Sequence, residues 1–256
     1  MKLTFLGTGT SGGVPMIACP CAVCNSTDER DKRLRSSVLI HSDNHSSNIV
    51  IDAGPDFRQQ MLRAKVSHLN AILLTHQHKD HTAGLDDVRA FNYFQKSSIP
   101  IYLSAETEAS VRREFHYAFE NGPYPGLPEM MLHRIKNEPF SIEHLQFIPI
   151  QVLHYNLHVF GFRINDLTYI TDANEISLEE KQKIKGSKIL ILNALRKEKH
   201  ISHFSLKEAL EIIQEFSPDV AYLTHISHQM GKHEEVSQLL PEHIHLAYDG
   251  LTIDFS

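Results

Sequence analysis

The sequence predicts an α/β fold in which one sheet packs on another, with helices on the outside. Three observations carry this expectation. Short apolar, β-rich runs recur along the whole 256-residue chain, bounded by Gly, Asn, Asp or Pro. Segments with apolar residues at three- and four-residue spacing fall between some of these runs, in both halves. No Ser/Gly linker, low-complexity block or fixed-period repeat divides the chain, so residues 1–256 read as a single domain.

In chain order, strands are expected at residues 3–6, 37–40, 49–51, 71–74, 99–103, 147–152, 159–164, 168–170, 189–192 and 220–223. Each is rich in Val, Ile, Leu, Phe or Tyr, which suit a pleated, buried surface. Helices are expected at 57–64, 85–94, 106–119, 178–184 and 206–216. Ser205 and Glu208 form a capping-box pair at the start of the last. The stripe of Phe115 and Phe119 is read as core. Residues 121–128 (NGPYPGLP) form the clearest long loop, because Pro and Gly stop the preceding helix.

Composition narrows the function. Hydrophobic residues make up 41%, enough for a core, yet no apolar run approaches the ~18 residues of a membrane span. The N-terminal MKLTFLGTGTSGG turns polar too early for a secretory signal, so a cytoplasmic protein is expected. With 25 Lys and Arg against 31 Asp and Glu, the net charge is −6, which argues against a broad grip on nucleic acid. Three cysteines cannot close a disulfide framework; clustered as Cys19, Cys21 and Cys24, they point to metal in a reducing compartment. Eighteen histidines point the same way.

The strongest motif is THQHKDH, directly after the buried run 71–74. It places His76, His78, Asp80 and His81 within six residues, a donor set that suits zinc, manganese or iron. One short motif cannot complete two metal sites. His154, Asp172 (YITDA) and His225 (LTHISH) each follow an expected strand and are the candidates to complete them. The glycine-rich GTGTSGG, with Gly7, Gly9, Gly12 and Gly13, is neither GxGxxG nor a P-loop; close backbone passage near the metal site explains it better than nucleotide binding. Arg35, Arg58 and Arg89 are available for phosphate contacts, although a solvated face is the default for each.

With FLGTGTSGGVP, CPCAVC, RLRSSVLI, IDAGPDFRQQ, THQHKDHTAGLDDVR, HFSLKEAL, LTHISH and AYDGLTID, the chain resembles the metallo-β-lactamase superfamily. Within it, the chain is similar to the phosphoribosyl 1,2-cyclic phosphate phosphodiesterase family of bacterial phosphonate breakdown. These motifs span residues 4–254; HxHxDH alone specifies only the superfamily, and the cysteine cluster with LTHISH is narrower.

The resemblance implies a four-layer αββα sandwich carrying two divalent catalytic ions, manganese or zinc. It assigns His76, His78 and His154 to one ion and Asp80, His81 and His225 to the other, with Asp172 bridging. Asp80 is also carried over as catalytic, and Asp52 as support behind the metal loop. A separate structural zinc would take Cys19, Cys21, Cys24 and His228. His203 matches the family's general acid, with His200 as its local rival; an ordinary imidazole pKa near ~6.5 suits that role. The implied substrate is a small cyclic phosphodiester such as 5-phosphoribosyl 1,2-cyclic phosphate, and the implied assembly a homodimer. The rival readings are a tRNA-processing endonuclease, a non-catalytic carrier like coenzyme pyrroloquinoline quinone biosynthesis protein B, and a di-iron oxygen-handling enzyme. The first lacks a basic RNA-binding arm here, the second tends to lack a complete dinuclear ligand set, and the third usually brings a flavin domain.

Overall fold

The computed structural model describes residues 1–42, 47–120 and 126–256. Two seven-stranded mixed sheets face each other. The first runs β14 (Thr252–Asp254), β1 (Lys2–Gly7), β2 (Ser37–Ser42), β3 (Ser47–Ile51), β4 (Ala71–Leu73), β5 (Ile99–Leu103), β6 (Met130–Arg134). The second runs β13 (Ile244–Leu246), β12 (Val220–Thr224), β11 (Ile189–Asn193), β10 (Leu167–Ile170), β9 (Leu157–Ile164), β8 (Leu145–His154), β7 (Phe140–Ile142). In each sheet an antiparallel meander gives way to parallel strands, at β3–β4 and at β10–β11.

Side-chain alternation builds the layers. On β3, Ile49 and Ile51 point into the core between the sheets, where they join Phe147, Phe162, Tyr169 and Ile191 from the opposite sheet. Val50, between them, points outward to α1 (Phe57–Ala64), α3 (Val88–Gln95) and α4 (Ala105–Glu114), through Phe57, Met61, Val88, Phe91 and Val111. The other sheet does the same: Leu190 and Leu192 of β11 meet Ile184 of α5 (Leu178–Ile184), Ala209 and Ile213 of α6 (Leu206–Phe216), and Val236 of α7 (His233–Ser237). The result is a four-layer αββα sandwich. Burying both faces of every central strand explains why those strands read as continuous apolar runs.

Helices α1, α5 and α6 have the bounds expected from spacing, and Ser205 and Glu208 close a reciprocal capping box. The expected helix 106–119 stops at Glu114 and continues only as a 3-10 turn, His116–Ala118; Phe115 is buried and Phe119 packs against the same cluster. The expected helix 85–94 begins as a 3-10 turn, Leu85–Asp87. Of the loop 121–128, residues 121–125 lie outside the described residues. Among the described residues no helix is long and apolar enough to cross a membrane.

Candidate functional site

The chain leaves β3, β4, β8, β10 and β12 at neighbouring places, and the donors sit at those strand ends. His76, His78, Asp80 and His81 follow β4, the last two on the short helix α2 (Lys79–Thr82). His154 is the last residue of β8. Asp172 and His225 follow β10 and β12, each with φ near +55°. That left-handed conformation is uncommon outside glycine and asparagine, and both sites hold it where the strand must turn. Gly54 closes the loop from beneath: a Cβ there would lie 2.0 Å from the Asp80 carbonyl oxygen, so a larger residue would push the metal loop away.

Three groups of ligand atoms converge, each within 4.8 Å: His76, His78 and His154; Asp80, His81, Asp172 and His225; and His154, Asp172 and His203. Asp172 stands between them. Its Oδ2 is 3.2 Å from His81 Nε2, and its Oδ1 is 3.2 Å from His225 Nε2 and 3.8 Å from His203 Nδ1.

Four of the imidazoles are held from behind. His81 Nδ1 donates to Asp52 Oδ2 at 2.7 Å, and His154 Nδ1 donates to the Ser202 carbonyl at 2.7 Å. The Ser36 hydroxyl donates to the Gly9 carbonyl, leaving its oxygen to accept from His225 Nδ1 at 3.1 Å. The Thr75 hydroxyl donates to Asp52 and accepts from His76 Nδ1 at 2.9 Å. Each of these four rings therefore keeps a proton on Nδ1 and turns Nε2 to the cluster, the orientation a metal requires. The buried Nε2 atoms of His76 and His81 have no hydrogen-bond partner, which fits a cation as their missing neighbour.

Burial pulls His81 down, but the carboxylates of Asp172, Asp52 and Asp80 outweigh it and hold its pKa well above the histidine norm, so a cation at Nε2 would have to displace a proton there. Burial pushes His76 well down, and also lowers His225 and His78. Burial likewise drives His203 down to about 3, helped by His225, His154 and His200. His203 is therefore neutral in the free site, which departs from the ordinary value expected from sequence. His200 Nδ1 instead contacts Ser202, whose hydroxyl lies 3.2 Å away.

The cysteine cluster forms a second, half-exposed centre. Cys19 Sγ and Cys21 Sγ each lie 3.3 Å from His228 Nδ1, and all four donors, with Cys24, fall within 4.8 Å of one another. The Cys24 backbone N–H and His228 draw the Cys21 thiol down to about 6, while burial pushes Cys24 up to about 11. His228 opens a 3-10 turn three residues after His225. The glycine-rich turn lies close by: Gly9 bridges to both Arg35 and Ile226, and a Cβ on Gly7 would lie 1.9 Å from the Arg35 carbonyl oxygen. Of the three arginines, Arg35 pairs with Asp56, Arg89 pairs with Asp86, and Arg58 lies exposed on α1. Sequence reading missed Ser36, Thr75 and Ser202, the partners that orient the rings. Thr75 heads the THQHKDH motif; Ser36 and the Ser202 carbonyl carry no spacing signal.

The chain is similar to known proteins. A crystal structure described as a new diphosphatase from the PhnP family has 38% identity and a TM-score of 0.92, covering 100% of this chain and 98% of that one. Zinc-bound PqqB from Methylobacterium extorquens has a TM-score of 0.82 over 100% of both chains at 19% identity, a likeness of fold. The octanoyltransferase of Porphyromonas gingivalis is 39% identical over 253 residues, 98% of this chain but 51% of that protein, so the chain spans about half the length of that relative. The β-lactamase superfamily domain matches residues 47–226, from the start of β3 past His225, the stretch that holds every donor of the strand-end clusters. With that match and its αββα sheets, the chain belongs to the metallo-β-lactamase superfamily, and within it resembles the PhnP family.

Proposed function

We propose that the chain is a metal-dependent phosphoric diester hydrolase acting on a small cyclic phosphodiester, such as 5-phosphoribosyl 1,2-cyclic phosphate. The observation that carries this reading is Asp172, which belongs to two converging ligand groups, one with Asp80, His81 and His225 and one with His154 and His203. In it, His76, His78 and His154 would hold one divalent ion and Asp80, His81 and His225 the other, with Asp172 shared between them. Two such ions, manganese or zinc, lower the pKa of water and neutralise phosphoryl oxygens when bound.

The chain's own residues do the rest. Asp52, Thr75, Ser36 and the Ser202 carbonyl keep the imidazoles in the ligating tautomer. His203 is the general acid. Neutral in the free site, it offers one N–H to the leaving oxygen, and the negative charge of bound phosphate draws a further proton onto the ring for transfer. Cys19, Cys21, Cys24 and His228 would hold a separate zinc, which would brace the turn that follows His225. A 450 Å³ cleft beside His78 and His154 matches a small substrate, and the −6 charge disfavours a polyanion.

The diphosphatase description of the 38%-identical structure supports phosphoryl chemistry. The octanoyltransferase name belongs to a protein that this chain half spans, and all three thiols here converge on His228, away from the strand-end site. A panel of cyclic phosphodiesters, linear phosphodiesters, diphosphates, a β-lactam and an octanoyl thioester tests the assignment on metal-loaded protein. The cyclic phosphodiesters are expected to turn over fastest; faster turnover of the lactam or thioester overturns it. Light scattering tests the proposed homodimer, and a monomer removes it.

A further inference from the structure

The cysteine centre lies open at the surface, and its three sulfurs are not equivalent. Cys19, Cys21 and Cys24 are each half-exposed, and the loop that leads to them is bare, with Met16 42% and Ile17 90% open to solvent. A small solute therefore reaches the sulfurs without entering the strand-end cleft. Cys21 and Cys24 share a single turn: the Asn25 N–H donates to the Cys21 carbonyl at 3.1 Å, and the Cys24 N–H donates to Cys21 Sγ at 3.4 Å. His228 Nδ1 lies 3.3 Å from the same sulfur. A backbone N–H and an imidazole beside a sulfur stabilise its thiolate, the form that attacks an oxidant. Cys24 Sγ is held by a different donor, the Met16 N–H, at 3.3 Å.

Spacing selects the pair that can join. The donor atoms of the centre lie within 4.8 Å of one another, so a sulfur–sulfur bond of ~2.05 Å needs a closure of less than about 3 Å. Cys21 and Cys24, with Ala22 and Val23 between them, have the C-x-x-C spacing at which dithiol and disulfide interconvert. Cys19 and Cys21 are separated by Pro20 alone, whose fixed φ resists closing so small a ring. Cys19 keeps its own contact with His228 Nδ1, at 3.3 Å.

We propose that Cys21 and Cys24 are an oxidation site: a peroxide converts them to a disulfide, and the zinc they hold with Cys19 and His228 is released. This rests on the zinc reading of the centre and extends it from a brace to a reversible site of modification. In the first step a bond forms between the Cys21 sulfur and a peroxide oxygen, the O–O bond breaks, and hydroxide leaves. In the second the Cys24 thiolate attacks the Cys21 sulfur, the S–S bond forms, the S–O bond breaks, and a second hydroxide leaves. Two electrons pass from the sulfurs to the peroxide oxygens, and the two hydroxides take their protons from solvent. Cys19 and His228 remain as half of a tetrahedral set, too few to retain the ion. The strand-end donors contain no sulfur and stay in place. The Ile226 N–H donates to the Thr8 carbonyl at 2.8 Å and the Thr10 N–H to the Ile226 carbonyl at 3.2 Å, so the chain between His225 and His228 is tied to the glycine-rich turn independently of zinc. Reduction can therefore rebuild the centre on an intact fold.

The test treats metal-loaded protein with hydrogen peroxide and takes three readings: a thiol count, peptide mass mapping of any bridge, and, with cadmium in place of zinc, the thiolate–metal absorption, which the strand-end site cannot give. Peroxide is expected to remove two of the three thiols, to leave Cys21 and Cys24 joined, and to abolish the absorption; dithiothreitol and fresh cadmium restore both thiols and absorption. A bridge through Cys19 overturns the proposal, as does absorption that survives peroxide or oxidation to sulfonic acid with no bridge. Cys19→Ser should still form the bridge, and its failure to do so while folded also overturns the proposal; if that variant does not fold, mapping of the wild type decides. Protein that shows no thiolate–cadmium absorption before peroxide is added sinks the zinc reading, and the mapped bridge alone then decides for or against Cys21 and Cys24.

Discussion

Replacing Asp52 with asparagine isolates what a buried carboxylate does for the metal loop. Asp52 is fully buried; its Oδ1 accepts from the Thr75 backbone N–H at 2.8 Å, and its Oδ2 accepts from His81 Nδ1 at 2.7 Å. Asparagine has the same shape. Its oxygen keeps the Thr75 bond, which turns its NH₂ toward His81 Nδ1. Two donors cannot share that gap, so the His81 proton moves to Nε2. Nε2 is the atom 3.2 Å from both Asp80 and Asp172, so the ring loses its lone pair at the cluster. Removing such an outer partner costs about 10- to 100-fold in metal affinity, about 1.4–2.7 kcal/mol. The loss should fall on the ion held by Asp80, His81 and His225, because the Thr75 hydroxyl can still reach the new amide oxygen and hold His76. Alanine would be less informative: it strands three buried donors at about 1–3 kcal/mol each and threatens the fold. Competition with a chromophoric chelator reads both affinities, and circular dichroism reads the melting temperature. A folded Asp52→Asn protein that binds both ions as tightly as wild type would refute the tautomer argument.

Three further outcomes are expected. His203→Ala should retain both ions yet lose about 10²–10⁴-fold in turnover, with a smaller loss for a nitrophenolate leaving group. Because His203 lies within reach of His154 and Asp172, loss of an ion in that variant would assign it to the metal instead. Zinc binding at the cysteine centre should strengthen with pH between 7 and 9, at least about tenfold per unit because Cys24 must give up its proton. The sign follows from the thiols: Cys21, drawn down to about 6, is already a thiolate there, while Cys24, pushed up to about 11, must release its proton to bind. Below about 6, protonation of Cys21 should weaken binding more steeply, and a flat profile in a chelator competition would contradict this. Ser205→Ala should remove the capping box of α6 and cost about 0.5–2 kcal/mol in urea unfolding; an unchanged midpoint would mean the cap contributes nothing.

The sequence on its own determined what depends on local spacing. Apolar periodicity placed α1, α5 and α6 at their observed bounds, and buried β-branched runs revealed the central strands. THQHKDH was legible because a loop leaving a strand can hold four donors in six residues. The strands it left unmarked are β6, β7, β13 and β14, the four edges of the two sheets. An edge strand packs on fewer neighbours, so its side chains need not be apolar, and its run of residues looks like a loop: β14 is exposed, buried, exposed, and β7 buries only Ile142. Only the tertiary structure could decide which ring nitrogen each histidine offers. Ser36 reaches His225 across 189 positions and the Ser202 carbonyl reaches His154 across 48, contacts that exist only once the sheets have closed on each other. It also lowered His203 to about 3, since burial and three neighbouring imidazoles are properties of packing, while the residue type alone carries its ordinary pKa.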